Sequence, residues 1–596
     1  MVPVADTVQQ LLRERVGDDA PAVRYGERVW TWREHLADAA AMAAALIKAA
    51  DPDRPLHVGV LLGNTPEMLT AMAVAALGGY VLCGINDTRR GAALAGDIRK
   101  SDSQILLTDP AHADLLDGLD LPGVRILDVS GAEWSTMLAD AGDLVPHREV
   151  QPTDTFMMIF TSGTSGDPKA VQLPHLIVPF AGASLIQRFE LSASDICYLS
   201  MPLFHSNGLL AGWSVAVGCG ASMVPATFSA SRLLPDLRRY RATYLNYVGK
   251  PLAYVLATPE QPDDHDNPLR VAFGNEASDR DIAEFSRRFD CTVWDGFGST
   301  EGAIIVTRED GCPPGALGKP FPGVAIYHPD TVTECVAAEF AEDGSLTNPD
   351  EAIGELVNTT GAGMFSGYYN DRDATDARLR HGMYWSGDLA YADADGWIYF
   401  AGRTGDWLRV DGENMTTAPI ERILLRLEPV SQVAVYAVPD ERVGDQVMAA
   451  IVLHDDAALT PEEFGDFLAG QSDLSPKAWP RHVWLTDALP ATATNKVLKR
   501  ELTARGATPD GGVLWTRDGN RRTYTPVEGR RTAPSAVGEL SPPTLTRGTG
   551  GTAGTGGIAG TGGATTGPPG CGTAGIGGAS GTGGASVTGV RPGRRA

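Results

Sequence analysis

The feature that most constrains this fold is an apolar strand that runs directly into a loop of glycines and small hydroxyl residues. Residues 155–160 are Thr-Phe-Met-Met-Ile-Phe, and residues 161–169 are Thr-Ser-Gly-Thr-Ser-Gly-Asp-Pro-Lys. Glycines let backbone N–H groups turn inward as an anion-binding nest, the hydroxyls add donors, and Lys169 adds a mobile positive charge. The segment therefore predicts a phosphate-binding loop at the end of a buried strand.

Two other interpretations of this loop have to be weighed. A run of Gly, Ser and Thr by itself is usually a surface connection. The spacing also differs from Gly-x-x-x-x-Gly-Lys-[Ser/Thr], so the loop is not the P-loop of mononucleotide kinases and GTPases. Only the motifs further along the chain separate a binding loop from a surface loop.

The length and charge of the chain limit its organisation and its partners. At 596 residues it is too long for one core, and we expect two folded domains and an additional segment. The formal net charge of -25 argues against nucleic acid as a partner and against standing attraction to anionic lipid, and leaves open only transient contact with a membrane surface. An anionic small-molecule substrate must then meet local basic residues, for which Lys169, Arg403 and Lys496 are candidates.

The cysteines and the apolar stretches indicate a cytoplasmic protein. The seven cysteines are scattered and form no Cys-x-x-Cys pair, which is typical of reduced thiols. No charged segment followed by an apolar one opens the chain, so we expect no secretory signal. Two uncharged stretches, residues 68–86 and 196–231, are interrupted by glycine or proline and are predicted to be buried core, with no transmembrane segment.

The first 150 residues alternate between helical and strand patterns. Thr31 and Glu34 form a capping box for a helix that extends to about residue 50, and Thr65 followed by Pro66 begins another. Short apolar runs at residues 57–62, 80–83, 104–108 and 124–129 predict strands. This alternation predicts an α/β fold in which helices cover a parallel sheet.

Four later segments place polar side chains directly after an apolar or aromatic run. They are residues 201–207 (Met-Pro-Leu-Phe-His-Ser-Asn), 271–277 (Val-Ala-Phe-Gly-Asn-Glu-Ala), 293–302 (Val-Trp-Asp-Gly-Phe-Gly-Ser-Thr-Glu-Gly) and 384–389 (Tyr-Trp-Ser-Gly-Asp-Leu). Each has an ordinary explanation when it is taken alone, such as a core histidine or a turn aspartate. Residues 400–407 (Phe-Ala-Gly-Arg-Thr-Gly-Asp-Trp) and a lysine at 496, in Pro-x-Thr-x-x-x-Lys, follow in order.

In this order the motifs resemble those of the adenylate-forming superfamily, which comprises acyl-CoA synthetases, luciferases and the adenylation domains of peptide synthetases. The resemblance covers about residues 5–508. Ala170 after Lys169, residues 403–407 and residues 412–414 (Gly-Glu-Asn) are most similar to the very-long-chain acyl-CoA synthetase and fatty-acid transport protein group. More narrowly, the chain resembles actinobacterial FadD-type fatty-acid and sterol side-chain CoA ligases.

The resemblance implies a role for each motif residue. Thr300 would contact the α-phosphate of ATP, Glu301 would hold Mg²⁺, Asp388 would bind the ribose hydroxyls, and Lys496 would be the catalytic lysine. The implied nucleotide-binding residues are Thr161, Ser162, Gly163, Thr164, Ser165, Gly166, Lys169, Gly274, Asn275, Glu276, Asp295, Gly296, Phe297, Gly298, Thr300, Asp388, Arg403 and Lys496. His205 and Asn207 would line the acyl channel. Gly405 would be the hinge, at a position where many relatives have Asp or Lys.

The resemblance also implies the domains. We expect an N-terminal AMP-binding domain at residues 1–404 and a small, mobile α+β lid domain at residues 405–508, with strands at 433–438, 447–453 and 482–485. A capping box formed by Thr460 and Glu463 should begin a helix there, and another helix should stop at Gly506. Residues 509–596 become a Gly/Thr/Ala-rich repeat that we expect to be disordered, because it cannot bury enough apolar surface to offset its ordering entropy.

The implied reaction is ATP-dependent ligation of a hydrophobic carboxylic acid to coenzyme A through an acyl adenylate. Such chemistry depends on positioning and charge stabilisation, which agrees with a motif set of phosphate donors, one metal carboxylate and lysines. Two alternatives remain at this point. One is an acyl-AMP ligase that loads a carrier protein, and the other is a catalytically silent lipid-binding homologue.

Overall fold

The architecture comes from a computed structural model. It describes residues 5–161, 168–342, 346–403, 407–410, 413–440, 444–471, 474–491, 497–507, 511–517 and 523–527. These ranges all belong to one compact unit, Met1–Thr532. Residues 528–596, which include most of the predicted Gly/Thr/Ala-rich tail, lie outside them.

The first large sheet carries the predicted phosphate loop. Its six strands, in spatial order, are Arg125–Asp128, Ile105–Thr108, His57–Leu61, Val81–Gly84, Thr155–Thr161 and Lys169–Pro174. All neighbours are parallel except the last pair, which is antiparallel. Four of these strands were predicted from their apolar runs between helical segments, and the parallel sheet is confirmed.

The second large sheet carries the turns that were predicted to hold the nucleotide. Its seven strands, in order, are Thr292–Asp295, Val271–Asn275, Tyr244–Val248, Ile196–Leu199, Ser222–Pro225, Pro21–Tyr25 and Arg28–Thr31. Only the last pair is antiparallel. Because neighbouring parallel strands end at the same edge, the turns after Val271–Asn275 and Thr292–Asp295 lie side by side.

Helices cover both sheets. The α-helices of the large domain are Val8–Arg13, Trp32–Ala49, Pro66–Gly78, Gly91–Lys100, Ala132–Ala139, Ile177–Phe189, Ser214–Cys219, Ala230–Tyr240, Gly249–Leu256, Asp279–Phe289, Pro349–Ala352 and Arg372–Arg378, with a 3₁₀ turn at Ala113–Leu116. The predicted capping box of Thr31 and Glu34 and the N-cap at Thr65 are both present. A π-helical segment, Gly208–Trp213, follows directly after Asn207 and was not predicted.

The two uncharged stretches are core segments, as expected. Residues 68–86 form most of helix Pro66–Gly78 and strand Val81–Gly84, and nearly all of their side chains are buried. In the described part of the chain, no helix combines the length and the apolar character needed to cross a membrane.

Two smaller sheets complete the large domain. One consists of Thr333–Glu334, Val324–His328, Gly354–Asn358, Met383–Ala392 and Leu379–Arg380, with Ile398–Arg403 paired to Met383–Ala392; the other consists of Phe297–Gly298, Ile305–Thr307 and Lys319–Pro320. Both are antiparallel. Asp388 and Arg403 lie on paired strands of the first of these sheets, and the Thr300–Glu301 turn connects two strands of the second.

The C-terminal part of the chain has its own α+β core. Its sheet contains Glu413–Thr416, Trp407–Val410, Gly444–Leu453, His482–Leu485, Val513–Arg517 and Tyr524–Pro526, with Val430–Asp440 paired to Gly444–Leu453. Helices Thr417–Leu424, Pro461–Ala469 and Lys499–Arg505 and a 3₁₀ turn, Pro476–Ala478, pack on it. The capping box of Thr460 and Glu463 and the helix end before Gly506 are confirmed.

The sheet continues past residue 508, where we placed the start of the tail. Strand Val513–Arg517 pairs with strand His482–Leu485. Strand Tyr524–Pro526 pairs with the other side of Val513–Arg517. Trp515 and Tyr524 are buried against Phe464 in the core of this domain. The low-complexity segment therefore begins later than predicted, because these short strands fill one side of the C-terminal core. The boundary at residues 404 and 405 stays a prediction, since residues 404–406 lie outside the described residues.

Candidate active site

The predicted phosphate loop connects two antiparallel strands. Thr161 ends one strand and pairs with Lys169 at the start of the next. A mononucleotide P-loop runs from a strand into a helix, so the hairpin agrees with the exclusion of that motif. Ser162, Gly163, Thr164, Ser165 and Gly166 lie outside the described residues, and their phosphate-binding role stays a prediction.

Lys169 and Glu301, predicted from separate motifs, meet at Tyr368. The Lys169 Nζ lies 5.1 Å from the centre of the Tyr368 ring, and the Tyr368 hydroxyl donates to Glu301 Oε1 at 2.8 Å. Loss of hydration on burial lowers the pKa of Lys169, and the positive charge of Arg378 lowers it further. The loop lysine and the predicted metal carboxylate thus belong to one electrostatic cluster.

Two further cations of this cluster were missed in the sequence. Arg378 interacts electrostatically with Lys169, Tyr368 and Glu301, and its Nη1 donates to the Trp385 carbonyl at 3.3 Å. Lys100 Nζ lies 3.0 Å from Asp371 Oδ2 and 3.0 Å from the Pro168 carbonyl, so it anchors the end of the phosphate loop. Neither residue is near a recognisable motif, and no local signal would have found them.

Thr300 lies between the phosphate side and the acyl motif. It belongs to the turn between strands Phe297–Gly298 and Ile305–Thr307, and its Oγ1 is 3.0 Å from Ser206 Oγ. Ser206 is the central residue of the His-Ser-Asn segment that was predicted to line the acyl channel. The structure therefore brings the acyl motif directly to the predicted α-phosphate contact.

Side-chain amides connect the same acyl motif to both nucleotide turns. Asn207 Nδ2 donates to Asn275 Oδ1 at 3.0 Å and to the Tyr247 carbonyl at 2.8 Å, and it accepts a bond from Asn246 Nδ2 at 2.9 Å. Asn275 Nδ2 donates to the Gly296 carbonyl at 2.6 Å. The side chains of Asn207 and Asn275 are thus hydrogen-bonded to other protein residues. These hydrogen bonds fix the relative positions of three loops of the site.

The turn residues Gly274 and Glu276 have backbone requirements of their own. A Cβ at Gly274 would lie 2.2 Å from the Tyr247 carbonyl oxygen, so only glycine fits between these paired strands. Glu276 adopts a positive φ of 65°, which is uncommon for a residue with a side chain. Both residues shape the turn where adenine is expected to lie.

Two other predicted nucleotide-binding residues form the short strand Phe297–Gly298. The centre of the Phe297 ring is 5.9 Å from that of the Phe400 ring, and Gly298 is exposed.

Asp295 has a partly buried carboxyl group that accepts hydrogen bonds from other residues of the protein. The Tyr247 hydroxyl donates to Asp295 Oδ1 at 2.6 Å, and the Ala277 backbone N–H donates to Oδ2 at 3.3 Å. Burial raises the pKa of Asp295 to about 7, while the bond from Tyr247 opposes that rise. Asp295 therefore holds the two nucleotide turns together.

Asp388 and Arg403 face each other across two paired strands. Arg403 Nε lies 3.2 Å from Asp388 Oδ1, and Asp388 is 8% exposed. The Asp388 backbone N–H donates to Ser386 Oγ at 3.0 Å, which fixes the turn. Asp388, predicted to bind the ribose hydroxyls, and Arg403, predicted to contact the nucleotide, are therefore adjacent, and together they offer both acceptors and donors to vicinal hydroxyls.

His205 fits a place in the wall of a pocket better than a role in proton transfer. Its ring centre is 4.6 Å from that of Phe204, and its buried Nε2 has no hydrogen-bond partner among the described residues. Burial lowers the pKa of His205 to about 4, so the ring is neutral at pH 7. A neutral imidazole against an aromatic ring is an apolar surface for an acyl chain.

The catalytic lysine and the hinge fall outside the described residues. Gly405 lies within residues 404–406 and Lys496 within residues 492–496, and both roles stay predictions. The described residues on either side of the lysine segment are held together, because Ala491 pairs with Val497 and the Leu498 N–H donates to the Pro490 carbonyl at 2.8 Å. Among the described residues, no group of three or more His, Cys, Asp or Glu side chains could hold a metal ion by itself.

Comparison with known proteins identifies the class to which this site belongs. Residues 12–369 match the family model of the AMP-binding enzymes, and residues 419–496 match the C-terminal domain of AMP-binding enzymes. The chain therefore belongs to the AMP-binding enzyme family, and the predicted membership of the adenylate-forming superfamily is confirmed.

Individual relatives narrow that class. The medium/long-chain-fatty-acid–CoA ligase FadD17 of Mycobacterium marinum is 51% identical over 513 residues, covering 85% of this chain and 98% of the relative. The steroid-22-oyl-CoA synthetase of Rhodococcus jostii is 46% identical over 503 residues, covering 83% and 90%. The crystal structure of ATP-bound MatB from Rhodopseudomonas palustris shares the fold, with a TM-score of 0.74 at 22% identity over 84% of this chain and 98% of that one. The predictions of a two-domain adenylate-forming fold and of an acyl-CoA ligase are confirmed.

Proposed function

We propose that this chain activates a hydrophobic carboxylic acid, either a long-chain fatty acid or a sterol side-chain acid, and transfers it to coenzyme A. The observation that carries the proposal is the cluster of Lys169, Tyr368, Glu301 and Arg378, which lies beside the contact between Thr300 and Ser206. Phosphate-binding charges and the acyl motif meet there, as acyl adenylation requires.

In the first half-reaction, a carboxylate oxygen of the acid attacks the α-phosphorus of ATP. A new P–O bond forms, the bond to the β-phosphate oxygen breaks, and pyrophosphate leaves. Lys169 and Arg378 offset the charge of the phosphates, and Thr300 lies where the acyl motif and the phosphate side meet. No side chain has to remove a proton, so positioning and charge stabilisation supply the catalysis.

In the second half-reaction, the sulfur of coenzyme A attacks the acyl carbon, the thiol proton is released, and AMP leaves with the electrons of the broken C–O bond. We propose that Lys496 bridges the acid and the α-phosphate in the first step. Movement about Gly405 then brings the small domain into position for the second. Asp388 and Arg403 would hold the ribose through both steps.

Glu301 is the residue that would hold Mg²⁺ on the nucleotide phosphates. Its carboxylate is a hard oxygen ligand, and the Tyr368 hydroxyl bonded to Oε1 fixes its orientation. Mg²⁺ usually takes few ligands from the protein when phosphates supply the rest, so one carboxylate fits this site. When bound, the ion neutralises phosphate charge. Since ATP and coenzyme A are cellular cosubstrates, we also expect the protein to act in the cytoplasm.

The test is a panel of carboxylic acids with the purified full-length protein. Fatty acids of several lengths and sterol side-chain acids are incubated with ATP and Mg²⁺, with and without coenzyme A. We expect acid-dependent exchange of pyrophosphate into ATP, and acyl-CoA together with AMP only when coenzyme A is added. Exchange without acyl-CoA, but with transfer to an acyl carrier protein, would favour a carrier-loading ligase. Absence of exchange with every acid would refute the adenylation chemistry.

A further inference from the structure

The strand that carries Asp388 contains a β-bulge at the predicted ribose turn. In the pairing of strands Gly354–Asn358 and Met383–Ala392, position 355 pairs with 389 and position 357 pairs with 385, so residues 386–388 face the single residue Leu356. Extra residues of this kind bend a strand and redirect its side chains, and such bulges are frequent beside functional sites. The direction of the Asp388 carboxylate therefore depends on the groups that hold the bulge in shape.

The carboxylate of Glu355 holds the middle of this bulge. The Gly387 backbone N–H donates to Glu355 Oε1 at 2.5 Å, and Gly387 has a positive φ of 77°. Glu355 is 2% exposed, and its Oε2 accepts a hydrogen bond from Arg380 Nη2 at 3.3 Å. Burying a carboxylate costs free energy unless it is paired and hydrogen-bonded, so an apolar residue would be the ordinary choice at this position. The charged side chain supplies what an apolar one lacks, which is an acceptor for an amide of the bulge.

Gly387 also contacts the phosphate cluster through Arg378. A Cβ at Gly387 would lie 2.7 Å from Arg378 Nη1, so the guanidinium group packs against this residue. Arg378 in turn influences the charge of Lys169 at the end of the phosphate loop. Since Asp388 follows Gly387 directly, a displacement of Gly387 would move the Asp388 carboxylate relative to the phosphate cluster. The bond from Gly387 to Glu355 opposes such a displacement.

We propose that Glu355 is a positioning residue for ribose recognition, which accepts the Gly387 N–H and so holds the bulge in the shape that directs the Asp388 carboxylate at the ribose hydroxyls. The inference rests on the proposed ribose role of Asp388 and adds a residue that does not itself touch the nucleotide. A purely structural ion pair between Glu355 and Arg380 would affect stability alone. A positioning role also affects how well the protein distinguishes nucleotides that differ in one ribose hydroxyl.

Binding of ATP and of its 2′-deoxy and 3′-deoxy analogues tests this role. Dissociation constants are measured by isothermal titration calorimetry with the purified full-length protein and Mg²⁺, so the measurement does not depend on the identity of the acid. We expect the wild-type protein to prefer ATP to at least one analogue by about 10- to 100-fold, as for a hydrogen bond to a charged group. Glu355→Met fills the same space without an acceptor and should lower that preference about fivefold or more. Glu355→Gln keeps an oxygen that can accept from the Gly387 N–H and should retain most of the preference.

Asp264→Leu is the matched control for general damage. Asp264 is also 2% exposed, accepts a hydrogen bond from the Gln261 backbone N–H at 3.0 Å and pairs with Arg288 at 2.6 Å. It precedes strand Val271–Asn275, whereas the nucleotide turn follows that strand. Asp264→Leu should therefore lower the thermal unfolding midpoint and keep the wild-type preference for ATP over its deoxy analogues.

Three results would overturn the inference. The first is a wild-type preference in Glu355→Met. The second is an equal loss of preference in Glu355→Met and Glu355→Gln, because the ion pair with Arg380 would then be responsible and not the bond from Gly387. The third is a wild-type protein that binds both analogues as tightly as ATP, which would remove Asp388 from the ribose site. The proposed acyl-CoA ligation is judged separately, by acid-dependent pyrophosphate exchange and acyl-CoA formation, and none of these three results would refute it.

Discussion

Replacing Tyr247 by phenylalanine should make the stability of the large domain more sensitive to alkaline pH. The Tyr247 hydroxyl donates to Asp295 Oδ1 at 2.6 Å, and this bond favours the ionised carboxylate, while burial favours the neutral one and raises the pKa to about 7. The folded protein therefore holds this proton more tightly than the unfolded chain. The ordinary pKa of an aspartate is 3.8, and the raised pKa of Asp295 is about 7. As the pH rises through this range, ionisation of Asp295 therefore lowers the stability of the folded protein.

The size of the effect follows from that shift. A rise of the pKa from 3.8 to about 7 corresponds to a loss of up to roughly 4 kcal/mol of folding free energy across this range of pH. A hydrogen bond to a charged group contributes about 1.5–3 kcal/mol, and one to a neutral group about 0.5–1.5 kcal/mol. Tyr247→Phe removes the donor and raises the pKa of Asp295 further. Its destabilisation should therefore be about 1–2 kcal/mol larger at about pH 8.5 than at about pH 5.5.

The assay is the thermal unfolding midpoint of wild type and variant over this range of pH, with Tyr244→Phe as the matched control. Tyr244 lies in the same strand, is also buried, and donates to the Ala211 carbonyl at 2.7 Å, an acceptor that does not titrate. Tyr244→Phe should lower the midpoint by a similar amount at every pH. If the two variants show the same dependence on pH, Asp295 does not have the raised pKa on which the reasoning depends.

Three further predictions concern the proposed reaction. Lys496→Ala should lower pyrophosphate exchange by about a thousandfold, because charge stabilisation of the adenylation step is lost, while supplied acyl-AMP is still converted to acyl-CoA; equal loss of both steps would contradict this role. Glu301→Gln keeps the acceptor for Tyr368 but removes the charge, and should raise the Mg²⁺ concentration needed for half-maximal exchange about tenfold or more, so an unchanged titration would remove Glu301 from the metal site. Gly405→Pro should block acyl-CoA formation and spare pyrophosphate exchange, because proline fixes φ at the proposed hinge; normal acyl-CoA formation would place the hinge elsewhere.

The parts of the fold that were predicted correctly depend on interactions between residues close in sequence. The capping boxes at Thr31 and Thr460 need only a hydroxyl and a glutamate three residues later, and both are present in full. Strand His482–Leu485 was predicted with its observed bounds because its apolar run is short and sharply limited. In the site, Asp388 and Arg403 were predicted as residues of two separate motifs, and their pairing across two antiparallel strands was not predicted.

The parts that were missed depend on residues far apart in sequence. Lys100 reaches Asp371 from a helix in the first hundred residues, and Arg378 reaches Lys169 from another distant helix. Nothing local to these residues shows that they will meet, since each looks like an ordinary charge on the surface of a helix. Strand Val513–Arg517 was missed for a related reason: it is stable because Trp515 fills a core formed by residues much earlier in the chain.

The charge balance of the site itself argues for an anionic ligand. Lys100, Lys169 and Arg378 are held by three different elements, and Glu301 and Asp371 are the carboxylates that act on them. Among the described residues, three cations therefore face two anions. In a chain with a net charge of -25, a structural network could easily have paired each cation. Burial lowers the pKa of Lys169, and the positive charges of Arg378 and Lys100 lower it further, while Asp371 and Glu301 oppose this shift. A phosphate group bound here would offset the positive charges of Lys100, Lys169 and Arg378, which the fold already holds close to one another.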